Sequence, residues 1–118
     1  MTRIIGPSKK SRNRYPDICL TLPNTDWVLI LELLATGTNN ELEEHFTRAL
    51  DYAKNFTEPV VWVVNFTRAD NAISNPHWQS EEQLSSGLNV MHIWHSEDFK
   101  IVKLIFNRSS TYEKLEFS

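Results

Sequence analysis

Residues 17–34 read DICLTLPNTDWVLILELL, and this stretch decides the fold. Two apolar runs flank residues 23–26, PNTD, whose side chains are typical of a tight turn. The pattern predicts a β-hairpin with strands over residues 18–22 and from residue 27 to about 34. Because residues 27–31 are apolar at every position, the second strand is expected to lie centrally in a sheet and to be covered on both faces.

A helix and a further strand follow the hairpin. Thr38 and Glu41 have the spacing of a capping box, and apolar residues then recur at three- and four-residue intervals, so a helix is predicted to run to about Asn55. After Pro59, residues 60–64 read VVWVV, which predicts a buried β-branched strand. Strand, helix and strand in this order predict a parallel pair joined by a right-handed crossover.

The later part of the chain gives a weaker pattern. A short helix is predicted to open at Asn75 and Pro76 and to contain Trp78 and Leu84. Residues 88–94 and 99–106 are predicted strands, joined by a turn at residues 96–98. Trp27 and Trp62 occupy strand interiors and are predicted core residues. His77 is interpreted as a loop residue. His92 and His95 are interpreted as packing or edge residues, because residues three apart on a strand face opposite ways and are poorly placed to bind one metal.

The bulk composition predicts one folded domain. The chain has 118 residues, 41% of them hydrophobic and 23% charged, which suits a single small core. We divide it into a basic amino-terminal arm over residues 1–14, an α/β domain over 15–108 and a tail over 109–118 that is loose or a short extension. No apolar run approaches the roughly 20 residues of a membrane span, and no signal peptide is evident, so an intracellular protein, cytoplasmic or nuclear, is expected. The single cysteine, Cys19, is predicted to be a buried packing thiol.

Charge is unevenly distributed. Five basic residues precede the first acid, Asp17. From Asp17 onward the sequence has seven basic residues and 15 acidic residues. The five are Arg3, Lys9, Lys10, Arg12 and Arg14. Such an arm could lie along phosphates and gain affinity by counterion release, or it could be a solvated, frayed terminus.

The hairpin places two acids opposite each other. A turn centred between Asn24 and Thr25 pairs residues whose numbers sum to 49, so Asp17 faces Glu32. Opposed Cβ atoms lie about 4.5–5.5 Å apart, and like charges there repel unless a cation or a proton intervenes. A divalent ion, Mg²⁺ or Mn²⁺, would relieve the repulsion. In the alternative, the register slips by one residue, or Asp17 lies in solvent while Glu32 finds another partner.

These residues carry a resemblance. Pro16-Asp17, then Glu32-Leu33-Leu34 at the end of the next strand, then a helix with His45, Arg48 and Tyr52, resemble the PD-(D/E)XK restriction-endonuclease-like superfamily. Within it the chain is most similar to the eukaryotic Crinkler-type and transposon-associated branch. The resemblance covers roughly residues 15–66 and implies a mixed β-sheet with a strand hairpin, one crossover helix and further strands.

The resemblance also implies roles. Asp17 and Glu32 would bind the metal and act in catalysis, with Mg²⁺ as cofactor and Mn²⁺ as a substitute. The family's lysine position is Leu34, which shares the face of Glu32 on a strand and cannot activate water. His45 or Arg48 from the helix would have to supply the missing basic group, although an exposed polar helix face would have the same pattern. The family's first helix has no counterpart here.

Nucleic acid is the partner that the resemblance implies, with DNA expected in preference to RNA. Lys9, Lys10, Arg12, Arg14 and Tyr52 are the candidate contacts. Two functions stay open: a metal-dependent nuclease with reduced or lost activity, and a catalytically inactive module of the same fold that binds nucleic acid or a protein. The sequence makes no prediction of the oligomeric state.

Overall fold

A computed structural model describes residues 3–5, 17–108 and 113–117. The elements in chain order are β1 Arg3–Ile5, β2 Ile18–Thr21, β3 Trp27–Ala35, α1 Asn39–Ala53, β4 Glu58–Thr67, α2 Asn71–Ser74, α3 Glu81–Ser85, β5 Leu88–His95, β6 Ile101–Phe106 and β7 Glu113–Glu116. The strands form one sheet in sequence order, β1 to β7. The β3–β4 and β4–β5 pairs are parallel and the other pairs are antiparallel, so the predicted α/β class with a mixed sheet is confirmed.

The hairpin forms in the predicted register. Ile18 pairs with Leu31 and Thr21 with Val28, so partner numbers sum to 49 along the whole ladder. Asn24 adopts a φ of 65° at the turn, a left-handed conformation that Asn tolerates better than most residues. The register sets which side chains of β2 and β3 share a face.

The sheet has one covered face and one open face. Val28, Ile30, Glu32 and Leu34 of β3 are buried and face α1; we call this side of the sheet the helix face. The alternate residues of β3 and their neighbours on β2, β4, β5 and β6 form the open face. Leu33 is 39% exposed there. The prediction that both faces of β3 are covered is therefore wrong.

The two strand tryptophans lie on the open face. Trp27 is exposed and Trp62 is half-buried. The core prediction for Trp27 is wrong, because an apolar strand sequence predicts burial on both sides only when a layer covers each side. For Trp62 the core interpretation holds in part.

Helix α1 closes the helix face. Thr38 and Glu41 form the predicted capping box, and Leu42, Phe46 and Ala49 are buried in the core against β3 and β4. The helix ends at Ala53, two residues before the predicted end. The predicted parallel pair with a connecting helix is confirmed, because β3 and β4 are parallel and α1 lies between them in the sequence.

The remaining differences concern short elements. Strand β4 runs beyond the predicted VVWVV core at both ends, and α2 ends before Asn75. Helix α3 contains Leu84 but leaves Trp78 in the preceding loop, where its ring meets that of His92. β1 lies within the predicted arm and β7 within the predicted tail. Among the described residues, no helix combines the length and the apolar character that a membrane span requires.

The capping box of α1 gives the first prediction. Thr38→Ala removes the side-chain acceptor for the Glu41 N–H and should lower the free energy of unfolding by about 1 kcal/mol. Urea unfolding followed by circular dichroism measures the change. Thr47→Ala, in the exposed middle of the same helix, is the control and should leave stability unchanged or slightly higher, because alanine favours helix. Equal stability losses in the two variants would contradict the assignment.

Candidate active site

A buried carboxyl group lies at the centre of the site. Glu32 is 0% exposed in the third strand of the sheet and points to the helix face. Its Oε1 accepts a hydrogen bond from Nε of Arg48 at 3.3 Å, and its Oε2 lies 3.0 Å from Nδ1 of His45. Both partners come from α1, three residues apart and therefore on one side of the helix. The structure thus brings together three of the predicted site residues.

Asp17 lies at the rim of this cluster. It precedes β2 by one residue, and continuing the hairpin register puts it opposite Glu32. Asp17 is exposed, and its Oδ2 accepts the Leu33 N–H at 2.7 Å. Its negative charge also contributes to raising the pKa of Glu32, which places the two carboxyl groups within electrostatic reach. The alternative of a slipped register is therefore wrong, whereas the alternative that Glu32 has other partners is confirmed.

Burial dominates the titration of Glu32. Desolvation raises the pKa of its carboxyl group, and the His45 hydrogen bond and the Arg48 charge offset this only in part. A charged carboxylate without water needs such partners, because desolvation disfavours the ionised form. The acid in this apolar strand is accommodated by Arg48 and His45 of the helix, which lower its pKa, against the larger effect of burial, which raises it.

His45 lies between Arg48 and Glu32. Arg48 Nη2 lies 2.7 Å from Nδ1 and 3.3 Å from Nε2 of His45, and a guanidinium can only donate. Nδ1 of His45 also faces Oε2 of Glu32. The imidazole therefore contacts both members of the Glu32–Arg48 pair.

Leu34 is in the position that the resemblance assigns to lysine. It is 8% exposed on the helix face, and a side chain at Gly37 would approach its Cδ2 to 2.9 Å. Its partner on β4 is the buried Asn65, whose Oδ1 accepts the Gly37 N–H at 2.9 Å. Thr36, in the turn between Leu34 and Gly37, adopts a φ of 52°, an unusual conformation for a β-branched residue. The turn that links β3 to the helix is thus closely packed and strained.

Asn65 belongs to a network of buried polar contacts that the sequence analysis did not predict. Its Nδ2 lies 3.3 Å from Nδ1 of His92, and Nε2 of His92 donates to the His77 carbonyl at 2.7 Å. Burial lowers the pKa of His92, which keeps the ring neutral and matches a packing role. His77 in turn pairs with Glu43 of α1 at 2.8 Å. An asparagine that continues an apolar β-branched strand was the signal that could have revealed this network.

Other predicted contacts lie elsewhere. Tyr52 is half-buried against the core, where it hydrogen-bonds to the Cys19 thiol and its ring tilts against Phe56. It is not brought to Glu32. Cys19 is 1% exposed, and burial raises the pKa of its thiol, so the prediction of a packing thiol is confirmed. The four candidate contacts of the arm lie outside the described residues: Lys9, Lys10, Arg12 and Arg14.

The donor set allows a two-carboxylate metal site at most. Asp17 and Glu32 offer the oxygen ligands that Mg²⁺ and Mn²⁺ prefer. Across residues 17–108 and the two short strands at the sheet edges, no three His, Cys, Asp or Glu side chains come together as a metal-binding group. The chemistry of the pair therefore fits a divalent ion only if water or a phosphate supplies the other ligands.

Comparisons with known proteins add no assignment. No protein-family model matches this chain, and no curated protein matches it significantly.

The ion pair gives a double-mutant prediction. Arg48→Met should lower the free energy of unfolding by about 2 kcal/mol, less than the roughly 3–5 kcal/mol of a fully buried pair, because Arg48 keeps some contact with water. In a Glu32→Gln background the same change should cost at least about 1 kcal/mol less, because no charge is left unpaired. Chemical denaturation at pH 7.5 measures both values. Strictly additive losses would contradict the pairing.

The pKa of Glu32 gives a prediction on pH. Since the folded pKa is raised above the value of about 4.5 for the unfolded chain, the folded state binds the proton more tightly. This stabilisation is complete below about pH 4.5 and is lost as pH rises through the folded pKa. Measured in EDTA, the unfolding free energy of the wild type relative to Glu32→Gln should therefore fall as pH rises above about 4.5.

Glu44→Gln is the control for that titration, because Glu44 is an exposed glutamate of the same helix. Its stability should follow that of the wild type at every pH. If the wild type and Glu32→Gln differ by a constant amount across the range, the raised pKa is refuted.

Proposed function

We propose that this chain is a nuclease-like domain of the PD-(D/E)XK type that hydrolyses nucleic-acid phosphodiesters slowly, with a divalent ion. The observation that carries the proposal is the contact of Glu32 with His45 and Arg48, together with the position of Asp17, which the hairpin register puts opposite Glu32 and the Leu33 N–H holds in place. Like acids on adjacent strands are unfavourable for folding alone, which supports a binding role for the pair. The consecutive order of the antiparallel hairpin, the crossover helix and the parallel strand is compatible with the same class.

Each residue would have a distinct task. Asp17, exposed at the rim, and Glu32, at the base, would hold Mg²⁺, and the backbone N–H of Leu33 fixes the orientation of Asp17. The ion would supply charge neutralisation at the phosphate and lower the pKa of a water. The Arg48 side chain is 29% exposed, which suits a group that contacts a phosphate oxygen while it pairs with Glu32. His45, whose Nδ1 contacts Glu32 and Arg48, would position these two groups for the reaction.

Leu34 explains why turnover would be slow. An aliphatic side chain on the helix face provides no cation where the family's lysine would lie. Arg48 approaches from the helix instead, and as a group that does not deprotonate it can offset charge but cannot act as a base. DNA is the expected substrate in preference to RNA, with the basic segment from Lys9 to Arg14 as the candidate backbone contact.

A second candidate is a cleavage-silent module that binds nucleic acid or a protein. It is favoured by the complete burial of Glu32 and by the engagement of both its oxygens with α1. An ion would have to displace at least one of these bonds. The module would keep the fold and the basic arm without the reaction.

Cleavage of supercoiled plasmid and of single-stranded DNA with Mg²⁺, Mn²⁺ or EDTA tests the proposal. We expect metal-dependent cutting that Asp17→Ala reduces by at least tenfold. Asp26→Ala is the matched control, because Asp26 is an exposed acid at the tip of the same hairpin, and it should cut like the wild type. Leu34→Lys should increase the rate. Cutting that persists in EDTA, or that Asp17→Ala leaves intact, would refute the site, and salt-sensitive binding without cutting would select the silent module.

A further inference from the structure

The open face is unusually apolar for a surface. Nine large hydrophobic side chains are exposed among the described residues, and five of them are strand residues of this face: Trp27, Leu33, Phe66, Phe106 and Leu115. Leu22 and Phe117 continue the registers of the β2–β3 and β6–β7 pairs onto the same face. Helix α1, the only described helix of more than five residues, packs on the opposite side. A contiguous exposed apolar surface of this kind marks an interaction site.

The size of the face suits a stable interface. Five strands, β2 to β6, at a spacing of about 4.8 Å, and about seven residues at roughly 3.3 Å each, give a footprint of roughly 550 Å². A pleated surface has more accessible area than its flat footprint. The area is therefore comparable with the roughly 800 Å² that each partner buries in a standard specific complex and is near the upper limit for patches on typical monomers.

Two stretches outside the described residues are poor in apolar side chains. Residues 6–16 read GPSKKSRNRYP and residues 109–112 read SSTY. Neither stretch contains Leu, Ile, Val, Phe, Trp or Met, so neither matches the apolar character of this face.

The distribution of charge on the open face indicates what kind of molecule binds there. From β2 to β7 the described strand residues place no Lys or Arg on the open face, which disfavours a nucleic-acid strand as its partner. Between β2 and β6 its one acid is Glu58, at the first residue of β4 and so at the periphery. In a two-fold dimer each residue near the axis meets its own copy, so a central charge would repel itself. The uncharged centre of this face permits that pairing.

We infer that the open face is the interface of a homodimer, in which the sheets of two copies stack face to face. Two such sheets pack about 10 Å apart with their strands aligned to within about 30°. Leu31 and Trp62, which are register partners in the middle of the face, would lie near the two-fold axis. The candidate active site, on the helix face, would remain accessible in both copies.

Sedimentation velocity of the purified full chain from 1 to 100 μM tests the inference. We expect a species of about 27.6 kDa, twice the 13.8 kDa of one chain, that dissociates on dilution. A wild-type protein that sediments as a monomer at 100 μM would overturn the homodimer, whatever any variant does. This measurement is independent of nuclease activity, so it stands or fails separately from the proposed function.

A matched pair of variants locates the interface. Leu33→Glu introduces a charge on the open face, and Leu84→Glu introduces one on α3; the two leucines are 39% and 37% exposed. We expect Leu33→Glu to weaken dimerisation by at least 100-fold and Leu84→Glu to leave it unchanged. Circular dichroism confirms that each variant is folded. Equal effects of the two changes on the dimerisation constant would exclude the open face.

Discussion

A carboxyl group inside a β-sheet requires a counter-charge or a proton, and Glu32 imposes that requirement on this molecule. The strand that carries Glu32 pairs with β2 on one side and β4 on the other, so the group has no route to water within the sheet. Helix α1 supplies the solution, because His45 and Arg48 follow one another by three residues on the side of the helix that faces Glu32. The capping box at Thr38 fixes where that helix begins. It therefore also fixes where along β3 the side chains of His45 and Arg48 lie.

The same constraint connects structure to chemistry. Asp17 reaches the cluster from the neighbouring strand and binds the backbone of β3 beside Glu32. Two acids, a guanidinium and an imidazole thus lie in one region of the helix face, and ionisable groups with shifted pKa values are more common at functional sites than elsewhere. The second acid, Asp17, is what distinguishes the cluster from an isolated buried salt bridge.

The hairpin and the helix could be predicted because their signals are local. A four-residue turn between apolar runs fixed the register, and the register alone placed Asp17 beside Glu32. The capping box was likewise readable from two residues. Burial on the open face was not predictable, because an apolar strand such as β3 has the same sequence whether a layer covers one face or two. The bond from Asn65 to Gly37 joins residues 28 apart, and no pattern within a short window indicates it.

The consecutive order of the strands has a consequence for how the chain acquires this structure. Each described strand after β1 pairs with the strand that precedes it in the sequence, so a growing chain has a completed edge to which the next strand can add. None of the described strands has to be inserted later between two strands that are already paired. Assembly can therefore proceed strand by strand, and the two parallel pairs, β3–β4 and β4–β5, are the steps that require a long connection to order.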